Sequence, residues 1–114
     1  GYYGPIGPKY ESVSTYPKIT ISQGSLVEAI RVGEPVLTTT ATELLQLNLP
    51  IRAHSDDQLH VEYRVVWKDK LGKPIPPQSI WTGIKLEPRQ PQNLIATATS
   101  KEAVDYNLQL RWSK

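Results

Sequence analysis

Apolar and polar residues alternate with a period of two along much of this chain. The clearest run closes it: Val104, Tyr106, Leu108, Leu110 and Trp112 share one face, with Asp105, Asn107, Gln109 and Arg111 on the other. Successive side chains of an extended strand point to opposite faces, so this pattern predicts a half-buried strand. From His60 the same logic places Val61, Tyr63, Val65 and Trp67 inward, and Glu62, Arg64 and Lys68 outward. That run enters Asp69-Lys70-Leu71-Gly72, where Asp69 can accept from its downstream backbone and Gly72 can take a positive φ. A β-hairpin with an inward Trp67 is expected. A third run sets Leu45, Leu47, Leu49 and Ile51 against Gln46, Asn48 and Arg52. Pro50 within it lacks a ladder donor, which predicts an edge or a bulge there.

The rest of the chain continues in short extended pieces. Ile19 and Ile21 form one, ended by Gln23-Gly24, and Leu26 to Val32 a second, closed by Gly33-Glu34-Pro35. Val36 to Thr42 is rich in β-branched Thr, suited to a pleated surface. Pro74, Pro76 and Pro77 interrupt the partner side of the hairpin, so pairing is expected to resume near Ile80, with Ile80, Ile84 and Leu86 on one face. Asn93 to Thr99 follows, and the turn Ser100-Lys101-Glu102 predicts that the last two strands pair antiparallel. No segment predicts a helix. Seven or eight short strands at turn spacings of about ten residues indicate an all-β sandwich or barrel.

Residues 1–17 differ in kind. Ten of these seventeen are Gly, Pro or Tyr, without period, so a flexible tail is expected there and a single domain over 18–114. Tyr2, Tyr3, Tyr10 and Tyr16 are four of the six tyrosines. They sit either in a solvated leader or in a segment that orders against a partner, since aromatics bring large contact area at low rotamer cost.

Composition removes several kinds of chemistry. There is no cysteine, hence no disulfide, thiolate nucleophile or cysteine-bound zinc. Thirteen basic against eleven acidic residues give a net charge of +2, spread without a basic stripe, so no nucleic acid is expected. No run approaches the roughly 18 apolar residues of a membrane span. A glycine at position 1 and the lack of Met fit processing or trimming. His54 and His60 flank a polar loop with Asp56-Asp57 and lack a third nitrogen or sulfur ligand. No Gly-x-Ser-x-Gly elbow or glycine-rich phosphate loop is present. The expectation is a non-enzyme without cofactor or metal. Trp81 stands out of phase with Ile80 and Ile84, either covering a sheet edge or anchoring a partner or sugar. Thr38-Thr39-Thr40 is flat, β-prone and uncharged, the profile of an edge open to strand addition.

Three blocks together carry a family resemblance. They are Tyr63-Arg64-Val65-Val66-Trp67-Lys68-Asp69-Lys70-Leu71-Gly72, then Trp81 ahead of Ile84 and Leu86, and Ala98-Thr99-Ser100 leading to Leu108-Gln109-Leu110-Arg111-Trp112. In this order, over residues 26–112, the chain resembles the YcfL-like family of small bacterial periplasmic lipoproteins. It departs from that pattern at Ala53-His54-Ser55, where an Asn is expected, and in lacking the lipid-bearing cysteine. The resemblance implies an immunoglobulin-like antiparallel β-sandwich and no catalytic residues. It also implies a periplasmic location, tethered to the outer membrane of a Gram-negative bacterium by an N-terminal lipid. Expected partners are other cell-envelope proteins, as in a secretion or flagellar assembly, met through strand edges and the aromatic tail. The alternative is a carbohydrate-binding or adhesive module using Trp81 and the tyrosines as stacking platforms.

Overall fold

The computed structural model describes residues 9–114. Its strands are β1 (Ile19–Ile21), β2 (Ile30–Val32), β3 (Val36–Thr39), β4 (Leu45–Ala53), β5 (Leu59–Lys68), β6 (Thr82–Leu86), β7 (Gln92–Thr97) and β8 (Asp105–Trp112), with a short helix, α1 (Gly24–Ala29), between β1 and β2. They form the two sheets of an all-β sandwich. The first sheet runs β1-β8-β5-β6, with β1 parallel to β8 and the other pairs antiparallel. In the second, β4 is central, with β2 and β3 along one side and β7 along the other, all antiparallel.

The expected alternation becomes burial. Leu47, Leu49 and Ile51 of β4 are fully buried, as are Val61 of β5, Leu108 of β8, Leu86 of β6 and, at 1% exposure, Leu94 of β7. Each such side chain contributes about 1.5–3 kcal/mol relative to exposure. Trp67 is inward as expected. The turn after it closes as the residues require. Asp69 Oδ1 accepts from Leu71 N at 2.9 Å and Lys73 N at 3.0 Å, and Gly72 has φ 79°.

Pro50 sits not at an edge but in the central strand, opposite a bulge. Val32 pairs with Ile51 and Val36 with Asn48, so Gly33, Glu34 and Pro35 face only Leu49 and Pro50. The Pro50 carbonyl accepts from Gly33 N at 2.8 Å. A residue's N–H and C=O leave a strand on the same side, so the donor that proline lacks would have pointed at this bulge, where the ladder is already broken.

Four expectations are corrected. Leu26 to Val32 is not one strand: α1 occupies its first part, because Leu26 and Ile30, one helical turn apart, both reach the core. The last two strands do not pair. β7 joins β4 and β8 joins β5, and the chain crosses between sheets through buried Ala98 and Ala103. Val104 and Ile80 lie outside the strands and are exposed, at 56% and 81%. Val104 N donates to Lys68 O at 2.9 Å, ending the crossover before β8 begins. Finally, the chain joins the core before residue 18. Glu11 exchanges two backbone hydrogen bonds with Val32, at 2.8 and 2.9 Å, and Val13 is 3% exposed.

Candidate interaction surface

β3 is an open edge. Among the described residues it pairs only with β4, all four of its residues are exposed, and none is charged. Thr40 N donates to Leu44 O at 2.9 Å, so the backbone groups of Thr40, Thr38 and Val36 point toward β4. Those of Leu37 and Thr39 point away, and neither makes a further backbone hydrogen bond among the described residues. The adjoining β2 edge differs, because Glu11 covers it at Val32. Thr40 lies past the strand, in the turn, where its Oγ1 accepts from Leu44 N at 3.1 Å. Two of the expected edge residues, Thr38 and Thr39, are therefore on the strand and the third closes its hairpin.

The apolar residues of this edge are Val36 and Leu37, exposed by 49% and 39%. Leu37 pairs with Leu47 on the inner face, where it borders a groove with Tyr16, Pro17, Lys18, Glu34, Pro35 and Tyr106. Val36 stands on the outer face beside Asn48, whose Oδ1 is buried with no hydrogen-bond partner among the described residues. An unmade buried hydrogen bond costs about 1–3 kcal/mol. The opposite edge, β7, borders Ser79, Ile80 and Thr82 instead.

Trp81 is half-buried on the outer face of the first sheet. Its ring centroid lies 4.7 Å from the Arg64 guanidinium carbon and 3.9 Å from that of Arg111. Arg111 Nε donates to Glu62 Oε1 at 2.8 Å, and Arg64 Nε to Gln109 Oε1 at 2.7 Å. The indole thus packs over a polar network on β5 and β8, with its π-face engaged by cations. Tyr10 is held similarly, 4.8 Å from Arg52, and Tyr16 packs on the core. Tyr2 and Tyr3 lie outside the described residues. His54 and His60 are exposed, and no group of three or more His, Cys, Asp or Glu among the described residues is placed to hold a metal.

With this geometry, residues 17–112 match a family described as "Protein of unknown function (DUF1425)". The chain belongs to the DUF1425 family. The crystal structure of Campylobacter jejuni cj0090 superposes with a TM-score of 0.69 at 19% identity, covering 84% of this chain and 98% of that one. A DUF1425 family member from Shewanella sp. pv-4 gives 0.66 at 21% identity, covering 75% and 79%. At these identities the likeness is one of fold. No curated protein matches the sequence.

In this DUF1425 domain the strand pattern marked the edge but placed its centre too late. Val36 and Leu37 read as ordinary strand residues, since alternation assigns a face and not a neighbour. The cations around Trp81 had a fainter signal. Thr82 pairs with Tyr63, so the register carries Trp81 to Arg64 once that pairing is known.

Proposed function

We propose that this domain is a non-catalytic protein-recognition module of the cell envelope, binding an extended segment of a partner as a strand added to β3. The observation that carries the reading is the pair of outward backbone positions, Leu37 and Thr39, on an uncharged edge beside an apolar groove. An added strand makes main-chain hydrogen bonds to such an edge, and alternate side chains supply selectivity. Here those side chains would fall into the groove beside Leu37 and Tyr106, or onto Val36 and Asn48. The envelope location and the tether by an N-terminal lipid rest on the resemblance to periplasmic lipoproteins.

The test is capture from envelope extract by the wild-type domain and by Thr39→Pro. Proline at 39 removes a donor that points to the partner and leaves the ladder to β4 intact. Loss of the captured protein at unchanged melting temperature supports the reading, and undiminished capture contradicts it. The sugar-binding alternative predicts glycan binding that disappears in Trp81→Ala. The two guanidiniums against that ring argue for a structural cover.

A further inference from the structure

The end of the second sheet where β2 meets β4 carries a like-charge pair. Arg31 and Arg52 are direct cross-strand partners. Like charges placed opposite one another on a sheet destabilise it, so such a pair calls for a counter-charge. Neither guanidinium has a carboxylate within ion-pairing distance among the described residues. Neutral contacts hold them instead. Arg31 Nη1 donates to the carbonyls of Ile30 at 2.8 Å and Glu28 at 3.1 Å, and Arg52 stacks on Tyr10. Both side chains are half-buried, which fixes their position while most of their five donors stay uncommitted.

His54 completes the cluster. It lies two residues beyond Arg52 and so returns to the same face, and its backbone N–H donates to Ala29 O at 2.7 Å. The groups acting on it come from every neighbouring element. Arg31 of β2 is the strongest and lowers its pKa, desolvation adds to this, and Arg89 and Arg52 lower it further, against Glu28 of α1. Arg89 is itself neutralised by Asp56 at 2.8 Å. Two uncompensated cations therefore remain beside an imidazole that can take up a proton.

We propose that Arg31, Arg52 and His54 form a binding site for a phosphate dianion or phosphomonoester. A dianion balances both guanidiniums where one carboxylate would balance a single one, and the planar Arg fork matches phosphate oxygens bidentately. Arg31, and with it Arg89 and Arg52, disfavours the protonated form of His54, and a bound phosphate would offset that field and favour a hydrogen-bonding imidazolium. This site lies apart from the β3 edge and does not depend on strand addition there.

The experiment follows the His54 ring by NMR in the whole chain, titrating pH in inorganic phosphate and in chloride at equal ionic strength. Phosphate should raise the His54 pKa above its chloride value. Arg31→Gln and Arg52→Gln should each abolish the phosphate effect without lowering the melting temperature, because each relieves the like-charge pair. Arg52→Lys keeps the charge but not the fork, and should weaken the response. Sedimentation with phosphatidylcholine vesicles, with and without phosphatidic acid, separates the sources. Phosphatidic-acid-dependent binding lost in Arg52→Gln assigns a lipid headgroup, and a response to inorganic phosphate alone assigns a soluble ligand. Equal behaviour in phosphate and chloride together with no vesicle binding overturns the proposal, as does a phosphate effect that survives both glutamine variants.

Discussion

Across the β5–β8 ladder Trp67 faces Tyr106, and the two are 9% and 5% exposed. Truncating a core aromatic removes transfer energy and leaves a cavity, so Trp67→Ala should lower stability by about 3–5 kcal/mol in urea denaturation. An unchanged midpoint would mean the indole is not in the core. That residue was legible because it continues a period-2 run. Val13 was not, being a single apolar residue among polar ones with no period to mark it. Its burial beside the Glu11–Val32 bridge predicts that Val13→Ala costs about 1.5 kcal/mol, from two buried carbons at about 0.8 each. A cost near zero by the same urea measurement would restore residues 1–17 to the tail. Protonation acts at this scale too. The Lys18 ammonium 2.7 Å from Asp105, then the Tyr106 N–H, holds that carboxyl below its usual value, so its stabilisation is present above the unfolded pKa and lost as pH falls through the folded one. His54 is also depressed, Arg31 first. The unfolded chain therefore takes up its proton first, and stability is lost as pH falls through the unfolded value of about 6.5. Urea midpoints should drop between about pH 7 and pH 5, and less so in Arg31→Gln. An equal drop in that variant would remove Arg31 as the cause.

Among the elements, β3 and β4 show how far pattern alone reaches. Alternation correctly set Leu47, Leu49 and Ile51 inward, and Pro50 announced the bulge at Gly33–Pro35. It could not separate the helical turn of α1 from a strand, because Leu26 and Ile30 fit a buried extended run as well as a helical spacing of four. Nor could it name neighbours: β7 and β8 follow one another in sequence yet lie in different sheets. Uncharged Thr38 and Thr39 did mark β3 as an edge, while the groove beside Leu37 exists only after β1 and β8 bring Pro17 and Tyr106 to it. Register gives a sharp contrast between adjacent positions of this edge. Thr39→Pro should leave stability within about 0.5 kcal/mol, the range for changes away from structural features. Thr38→Pro removes a donor bonded to β4 and should cost at least about 1 kcal/mol. Equal costs for the two, by thermal or urea unfolding, would show that the inward and outward assignment is reversed.

As a whole molecule the domain closes one side of its sandwich and leaves the other open. Gln92 ties β7 to the β6 end, its Nε2 donating to Lys85 O at 2.9 Å and its Oε1 accepting from Glu87 N at 2.9 Å. The Pro74–Thr82 segment runs along the free part of β5, with Ile75 N bonded to Trp67 O at 2.9 Å and Ser79 Oγ to Val65 O at 2.6 Å. No comparable cover lies over β3 among the described residues. Edge strands left uncovered and uncharged invite pairing, and natural proteins ordinarily block them. The measurement that tests this most directly is an NMR spectrum of the isotope-labelled domain in unlabelled envelope extract. Binding at β3 predicts that the amide signals of Leu37 and Thr39 broaden and become protected from exchange, with Tyr106 and Val36 responding beside them. Signals of Glu62, Arg64 and Gln109, on the outer face of the first sheet, should stay unchanged. Broadening centred on Trp81 or on β7, or no change anywhere in the spectrum, would contradict recognition through β3.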